Sequence, residues 1–375
     1  TVALLLSAAF VVALPATTTA QEADQDAQAA EQVFRLPRAE GPERTEVDLT
    51  GPWQVARYDD PDIDKDTYVP VQVLPPETAL DWMGIRVPGS LRNKPETDLA
   101  HRVIYRTRVD VPASHEGRGF TLHFKGTNWI VSVFVNGKLA GEHRGVWIPW
   151  DLDISGFIRP GQVNELAVAV KSPWYGFDTR LADVNGKKGP GTLKAFKDRK
   201  SLGRPIIVPY GGKGDGNGNH YGIVNPVTLT SVGPVYTEDV FAKTSVQDRK
   251  LTAELTLRNT TDRDRTLEVR WEAVHDANDE VEKRSDPKEV TIPAGETLRV
   301  DLAADWESPK LWWPKPNPNL YRLRTVLTED GNTVDVHEQL FGFREVTIDG
   351  TSFRLNGVRW RSEEHTSELQ SPLCI

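Results

Sequence analysis

Val131-Ser132-Val133-Phe134-Val135, then Asn136-Gly137, then Lys138-Leu139-Ala140, reads as two short strands joined by two residues that tolerate positive φ. Asn-Gly is the preferred pair for a type I′ turn, whose twist matches that of the strands it joins. The stretch therefore predicts an antiparallel hairpin, and its neighbours repeat the theme. Val103–Val111, Phe120–Phe124 and Glu165–Val170 read as further strands, the last expected to bury alternate residues. Helical signals are weak: Pro76–Met83 and Thr192–Lys200 would each give about two turns. Strands at this density predict a sandwich or barrel.

Composition agrees. The 375 residues suggest two or three domains at roughly 150 residues each. Charged residues make up 26% and apolar ones 38%, an ordinary globular balance. The 26 Pro, 29 Gly and 11 Trp lean towards β structure, and a net charge of −9 argues against a nucleic-acid partner. A second all-β unit starts near Gly233-Pro234. Leu251, Ala253, Leu255 and Leu257 alternate with polar residues, as do the runs Leu267–Trp271 and Leu298–Leu302, and Pro293-Ala294-Gly295-Glu296 reads as a turn between strands. The spacing suits an immunoglobulin-like sandwich without a disulfide.

The two ends read differently from the middle. Val2–Leu14 is apolar except for Ser7, too short for the ~20 residues that span a bilayer. Small residues up to Ala20 and polar Gln21-Glu22 follow, so residues 1–20 read as an incomplete secretory signal peptide, which places the protein outside the cytoplasm, secreted or periplasmic. Residues 21–45, rich in Gln, Ala, Glu and Asp, read as a disordered, solvated tether. Arg361–Ser371 reads RSEEHTSELQS, the translation of a DNA string that resembles a widely used sequencing adapter. Residues 361–375 are accordingly set aside as an artefact. They carry one Arg, three Glu and the single cysteine, Cys374; without them the net charge is −7 and no disulfide framework exists.

Motifs that would carry chemistry are absent: no HExxH, GxSxG, Walker loop or GxGxxG follows a strand. Asp215-Gly216-Asn217-Gly218-Asn219 spaces its oxygens like a calcium loop but lacks the closing glutamate. His101, His123 and His143 have no ligand spacing, so no metal or cofactor site is expected. Eight basic and two acidic residues between Arg180 and Arg204 read as a solvated face or the rim of an anionic-substrate site. Asn259-Thr260-Thr261 fits a glycosylation acceptor. Trp147, Trp150 and Trp174 are candidate platforms on which a sugar ring could stack.

Seven stretches, in order, resemble glycoside hydrolase family 2, the family of β-galactosidases, β-glucuronidases and β-mannosidases. They are Leu49-Thr50-Gly51-Pro52-Trp53, Ile85-Arg86-Val87-Pro88-Gly89-Ser90, Tyr105-Arg106 through Val111-Pro112, Val133–Lys138 with Gly141-Glu142-His143, Asp153-Ile154 with Pro160-Gly161 and Asn164-Glu165-Leu166, Leu311-Trp312-Trp313-Pro314 with Pro318–Tyr321, and Phe341–Glu345 with Phe353–Gly357. The resemblance implies a sugar-binding jelly-roll domain at 46–232, an immunoglobulin-like sandwich at 233–343 and, at 344–360, only the opening segment of a (β/α)8 catalytic barrel. Without the rest of that barrel, Phe353 and Leu355 would form an exposed apolar edge. The family's two catalytic glutamates would lie past Trp360, so no residue of this chain is expected to be catalytic. Asn164-Glu165 superficially resembles the family's acid/base pair but opens an apolar strand. The implied protein is the N-terminal part of an exported, retaining exo-β-glycosidase acting on a glycoside or oligosaccharide, with no organic cofactor and no membrane span. The alternative is a non-enzymatic carbohydrate-binding or adhesive β-sandwich, for which the 341–357 motif has no use.

Overall fold

The computed structural model describes residues 32–41, 43–58, 69–89, 91, 97, 100–171, 221–314 and 318–360. The leader at 1–20, Trp174, Thr192–Lys200, the basic stretch 180–204, the Gly-rich 215–219 and the tail 361–375 lie outside the described residues. The protein is all-β, with a galactose-binding-like jelly roll and an immunoglobulin-like sandwich. Its described residues divide into two compact units. One takes those up to Leu36, Val47–Val111 and Thr121–Leu229; the other takes Pro37–Glu46, Pro112–Phe120 and those from Thr230 on.

In chain order the first twelve strands are β1 (Phe34–Arg35), β2 (Thr45–Asp48), β3 (Gly51–Tyr58), β4 (Met83–Val87), β5 (Arg102–Val111), β6 (Gly119–Phe124), β7 (Thr127–Val135), β8 (Lys138–Val146), β9 (Trp150–Asp153), β10 (Gln162–Lys171), β11 (Gly222–Ile223) and β12 (Val227–Val232). An eight-stranded sheet runs β11-β7-β10-β5-β3-β4, with β1 beside β5 and β8 beside β7; a four-stranded sheet runs β2-β12-β6-β9. The β7–β8 hairpin turns at Asn136 and Gly137, with φ of 51° and 77°, as its Asn-Gly pair requires. Trp53 is buried, and its indole N–H donates to the Leu49 carbonyl at 2.8 Å, which ties the Leu-x-Gly-x-Trp stretch into one knot.

Strand β10 departs from the alternation expected of it. It lies between β5 and β7, antiparallel to both, and is buried on both faces from Leu166 onward. Ala167 and Ala169 face a small second core with Val71, Ile104 and Phe134, roofed by Leu74, Leu80 and Trp82. That roof is the segment where two helical turns were expected. It holds a single 3-10 turn, Glu77–Ala79, before β4 begins at Met83. Arg106 fixes it by lying 3.9 Å over the Trp82 ring and bonding Glu77 at 2.7 Å, while Trp82 donates to the same carboxylate.

The second unit's strands are β13 (Val235–Ser245), β14 (Lys250–Asn259), β15 (Arg265–His275), β16 (Val281–Arg284), β17 (Lys288–Ile292), β18 (Thr297–Asp305), β19 (Tyr321–Glu329) and β20 (Asn332–Phe341). One sheet runs β13-β14-β18; the other runs β16-β15-β19-β20 with β17 also on β15. Leu251, Ala253, Leu255 and Leu257 are the inward residues of β14, so here the alternation holds. Trp271 sits in that core with its indole N–H on the Leu302 carbonyl at 3.0 Å, and Trp306 meets both Tyr321 and Phe343 edge-on. Gly295 (φ 69°) closes the turn expected at Pro293–Glu296.

The described part of the expected tether is ordered instead. Phe34–Arg35 pairs in parallel with β5, and Leu36 is fully buried. Within the second unit, Arg44 forms a two-pronged ion pair with buried Asp335, at 2.8 and 3.0 Å, and Asp335 also accepts from the Thr237 N–H. His115 bonds the Pro37 carbonyl through Nε2 at 2.7 Å and Ser231 Oγ through Nδ1 at 2.9 Å. Arg118 donates to Ser231 Oγ and to the carbonyls of Gly41 and Glu43. The polar composition belongs to 21–31, whereas Phe34, Leu36 and Arg44 have partners far away in sequence.

Residues 344–360 also differ from expectation. They form an antiparallel meander of β21 (Val346–Asp349), β22 (Ser352–Leu355) and β23 (Val358–Trp360). Leu355, expected to be left uncovered, is buried at 1% exposure, whereas Phe353 is 56% exposed. The root of the meander is bolted to the sandwich. Glu345 accepts from Ser245 Oγ and the Gln247 N–H, Thr244 Oγ1 donates to the Arg344 carbonyl, and Arg344 lies 4.5 Å over Trp312. Asn356 Nδ2 donates to the Trp312 carbonyl at 2.9 Å.

Candidate functional site

In the first unit, the aromatic residues named from sequence meet where β7, β8 and β9 come together. Thr127, at the start of β7, organises the corner: its carbonyl accepts from the Trp147 N–H at 2.9 Å, and its hydroxyl oxygen accepts from the Trp150 indole N–H at 3.0 Å. Trp147 has a φ of 57°, a left-handed conformation uncommon for a bulky residue, and is 38% exposed beside the exposed Ile148. Strained aromatic positions of this kind gather at binding sites.

Trp150 has a different role from the one expected of it. It stacks on Phe124 at 4.4 Å between ring centroids and on His143 at 4.5 Å, within 8° of parallel in both cases. Those rings occupy the positions a pyranose would need, so Trp150 is packing, not a platform. Gly145 makes room for the imidazole, since a Cβ there would lie 2.5 Å from His143 Nε2. Burial holds the His143 pKa below its ordinary value, so the ring is neutral at neutral pH. On the alternate side of the same strand pair, His123 Nδ1 meets Asp151 at 2.8 Å.

The remaining polar candidates are structural. Asn164 is fully buried; its Oδ1 accepts from Asn136 Nδ2 and the Arg159 N–H, both at 2.8 Å, and the Glu165 N–H donates to Asn136 Oδ1. Asn164-Glu165 thus fastens a turn. Asn259 is fully buried too, its amide donating to the carbonyls of Arg263, Ile292 and Pro293, so it cannot accept a glycan in the folded protein. Many carboxylates of the second unit are held by arginines: Glu272 by Arg270, Arg284 and Arg324, Glu338 by Arg322 and Arg324, Glu329 by Arg265. Burial works to raise the Glu282 pKa, but hydrogen bonds from Lys310 and Tyr321 outweigh it and hold the carboxyl below its usual range. Among the described residues, no group of three or more His, Cys, Asp or Glu could hold a metal ion, and no helix is long and apolar enough to cross a membrane. The corner can present an aromatic surface; it shows no acid/base pair.

Sequence reasoning missed the His115–Ser231–Arg118 and Arg44–Asp335 networks. Their members stand up to 291 positions apart, and no local pattern marks them. The sequence does match family models. Residues 61–201 match the glycosyl hydrolase 2 galactose-binding domain-like model, and residues 235–344 match that of glycosyl hydrolases family 2. The chain belongs to glycosyl hydrolase family 2. A β-glucuronidase of Paenibacillus borealis is 25% identical over 323 residues, which is 84% of this chain and 48% of that protein. A β-glucuronidase of Formosa agariphila is 22% identical over 68% of this chain and 25% of its own length. A β-galactosidase of Thermoanaerobacterium thermosulfurigenes is 23% identical over 68% of this chain and 31% of its own. The chain thus spans between a quarter and a half of these curated relatives. In fold it is similar to a Bacteroides uniformis β-glucuronidase (TM-score 0.61, 20% identity, 85% of this chain and 35% of that one). It is likewise similar to a putative β-galactosidase of Bacteroides fragilis (TM-score 0.63, 18% identity, 85% and 44%).

Proposed function

We propose that this family 2 chain is the non-catalytic N-terminal part of an exported, retaining exo-β-glycosidase that hydrolyses terminal β-linked sugars. The observation that carries the reading is the succession of the two family matches, 61–201 then 235–344, with Phe353-Arg354-Leu355-Asn356-Gly357 following. Relatives named β-glucuronidase and β-galactosidase support the substrate class, and the apolar run 2–14 ahead of Gln21-Glu22 supports export to the periplasm or medium. In this reading a catalytic barrel follows residue 360 and supplies two carboxyl groups roughly 5–5.5 Å apart, as retention requires. Trp147 is then the aromatic sugar contact of the first domain.

The test uses the product of the uninterrupted gene. It should hydrolyse one of the aryl β-glucuronide, β-galactoside or β-mannoside, releasing the β-anomer first by NMR. Trp147→Ala should raise KM about fivefold, the equivalent of ~1 kcal/mol of stacking, with kcat unchanged. Purified product that binds sugars but cleaves none of the three would favour the adhesive alternative.

A further inference from the structure

Between Leu36 and Arg44 the second unit holds a piece of chain that buries no residue of its own. Pro37, Arg38, Glu40, Gly41 and Glu43 are exposed, and Ala39 is half-buried. The residues on either side are fixed more firmly. Leu36 is fully buried, and Arg44 is held by buried Asp335 at 2.8 and 3.0 Å. From Pro37 to Glu43 the contacts are polar and converge on Ser114–Arg118. Ser114 Oγ accepts from the Ala39 N–H at 3.1 Å, and His115 Nε2 meets the Pro37 carbonyl at 2.7 Å. Arg118 donates to the carbonyls of Gly41 and Glu43. Buried Ser231 joins the two basic side chains, its Oγ lying 2.9 Å from His115 Nδ1 and 3.0 Å from Arg118 Nε. A segment with so few apolar contacts opens locally at less cost than a core strand.

We infer that Pro37–Gly41 and Glu43 form a strap operated by one proton. It is closed while His115 is neutral, and it opens between the Leu36 and Arg44 anchors when His115 is protonated. The neutral ring carries its proton on Nε2, because the Pro37 carbonyl can only accept, and Nδ1 accepts from the Ser231 hydroxyl. A second ring proton sits on Nδ1, where it meets the serine oxygen that Arg118 already holds. The serine hydroxyl then loses the acceptor for its own proton, and two cations share one buried oxygen. Arg118 is the charged group that acts on His115, while Asp335 acts on Arg118 and is itself bonded to Arg44 and the Thr237 N–H. On the remaining sides stand the Phe120 ring, with centroids 6.1 Å apart, and Thr230, whose hydroxyl bonds Glu46 at 3.2 Å. Arg38, Glu40, Glu43 and Glu116 are exposed, so water screens their charges. Burial lowers the His115 pKa, the Pro37 bond opposes it, and Arg118 adds to the lowering. The strap is therefore closed above the ordinary histidine value of 6.5 and opens as pH falls below it towards the folded value.

Limited proteolysis of the 375-residue chain by papain, which is active at both pH 5 and pH 7.5, reads the opening directly. Cuts between residues 37 and 44 are counted by mass spectrometry and normalised to a free peptide of the same sequence. They should come about tenfold faster at pH 5 than at pH 7.5, while cuts within β14 stay rare at both. In His115→Gln, whose amide can still donate to the Pro37 carbonyl but cannot titrate, the two rates should agree. The midpoint of the wild-type pH dependence should coincide with the titration of the His115 ring followed by NMR, a comparison that needs no variant. A wild-type rate that ignores pH, or a midpoint apart from that of the ring, would overturn the inference. Equal acceleration in His115→Gln would assign the opening to carboxylates such as Asp335 and overturn it too. Cuts rising in step within β14 would mean that the whole unit unfolds and no strap opens by itself.

Discussion

The Asn136-Gly137 and Asn356-Gly357 turns are built alike and used differently. Both asparagines sit at φ near 50° and both glycines at 77°. In each, the asparagine N–H donates to a glutamate carbonyl and its Oδ1 accepts from that same glutamate's N–H: Glu165 for Asn136, Glu345 for Asn356. In each, Nδ2 reaches a further carbonyl, of Phe157 or of Trp312. The strand leading into the first turn, β7, is almost wholly buried; the strands flanking the second, β22 and β23, expose three apolar residues, Phe353, Val358 and Trp360. Turn chemistry fixes the hairpin in both places, and what lies above the strand faces decides whether it is core or surface.

The largest expected effect separates the two strand faces. Phe134→Ala, at a buried site two residues before the first turn, should cost about 3–5 kcal/mol in urea unfolding. Phe353→Ala, three residues before the second, should stay within about 0.5 kcal/mol in the same chain. A similar loss at both would mean that the meander is already covered. Next come the turns themselves. Asn136→Ala removes three side-chain hydrogen bonds and strains a left-handed position, and should cost about 3 kcal/mol. Asn356→Ala loses two such bonds and should cost about 2 kcal/mol, measured as faster amide exchange confined to 346–360.

Much of the β framework was legible because period-two alternation and Asn-Gly turns are local signals. Strand β14 follows its pattern residue by residue. The pattern failed at β10 because alternation reports one buried face, and the Val71–Trp82 roof buries the second. It failed at Phe34–Arg44 because average composition hides single apolar or charged residues whose partners are distant. At the aromatic corner, the sequence showed which tryptophans were present but not that Phe124 and His143 would occupy the faces of Trp150.

A smaller effect comes from the His115 network of the second unit. The Pro37 carbonyl can only accept, so Nε2 carries the proton and Nδ1 accepts from the Ser231 hydroxyl. Burial and the nearby Arg118 lower the His115 pKa, while the Pro37 bond opposes them. The folded state therefore favours neutral His115, and the unfolded chain takes up the proton first. This contribution is present above the ordinary histidine value near 6.5 and is lost as pH falls below it towards the folded value. Thermal midpoints should drop between pH 8 and pH 5, less steeply in His115→Gln. Equal slopes would assign the acid sensitivity elsewhere, with the half-buried His143 the first group to examine.

We propose that these β units are the non-catalytic part of a glycosidase whose chemistry lies outside them. The most direct measurement places the 375-residue chain and the product of the uninterrupted gene side by side, at equal concentration, on the same aryl β-glycoside. The longer protein should turn it over and the chain alone should stay at the buffer blank, since its Asn-Glu pair of acid/base form, Asn164-Glu165, fastens a turn. Turnover by the chain alone that survives purification and vanishes in Glu165→Gln would contradict it.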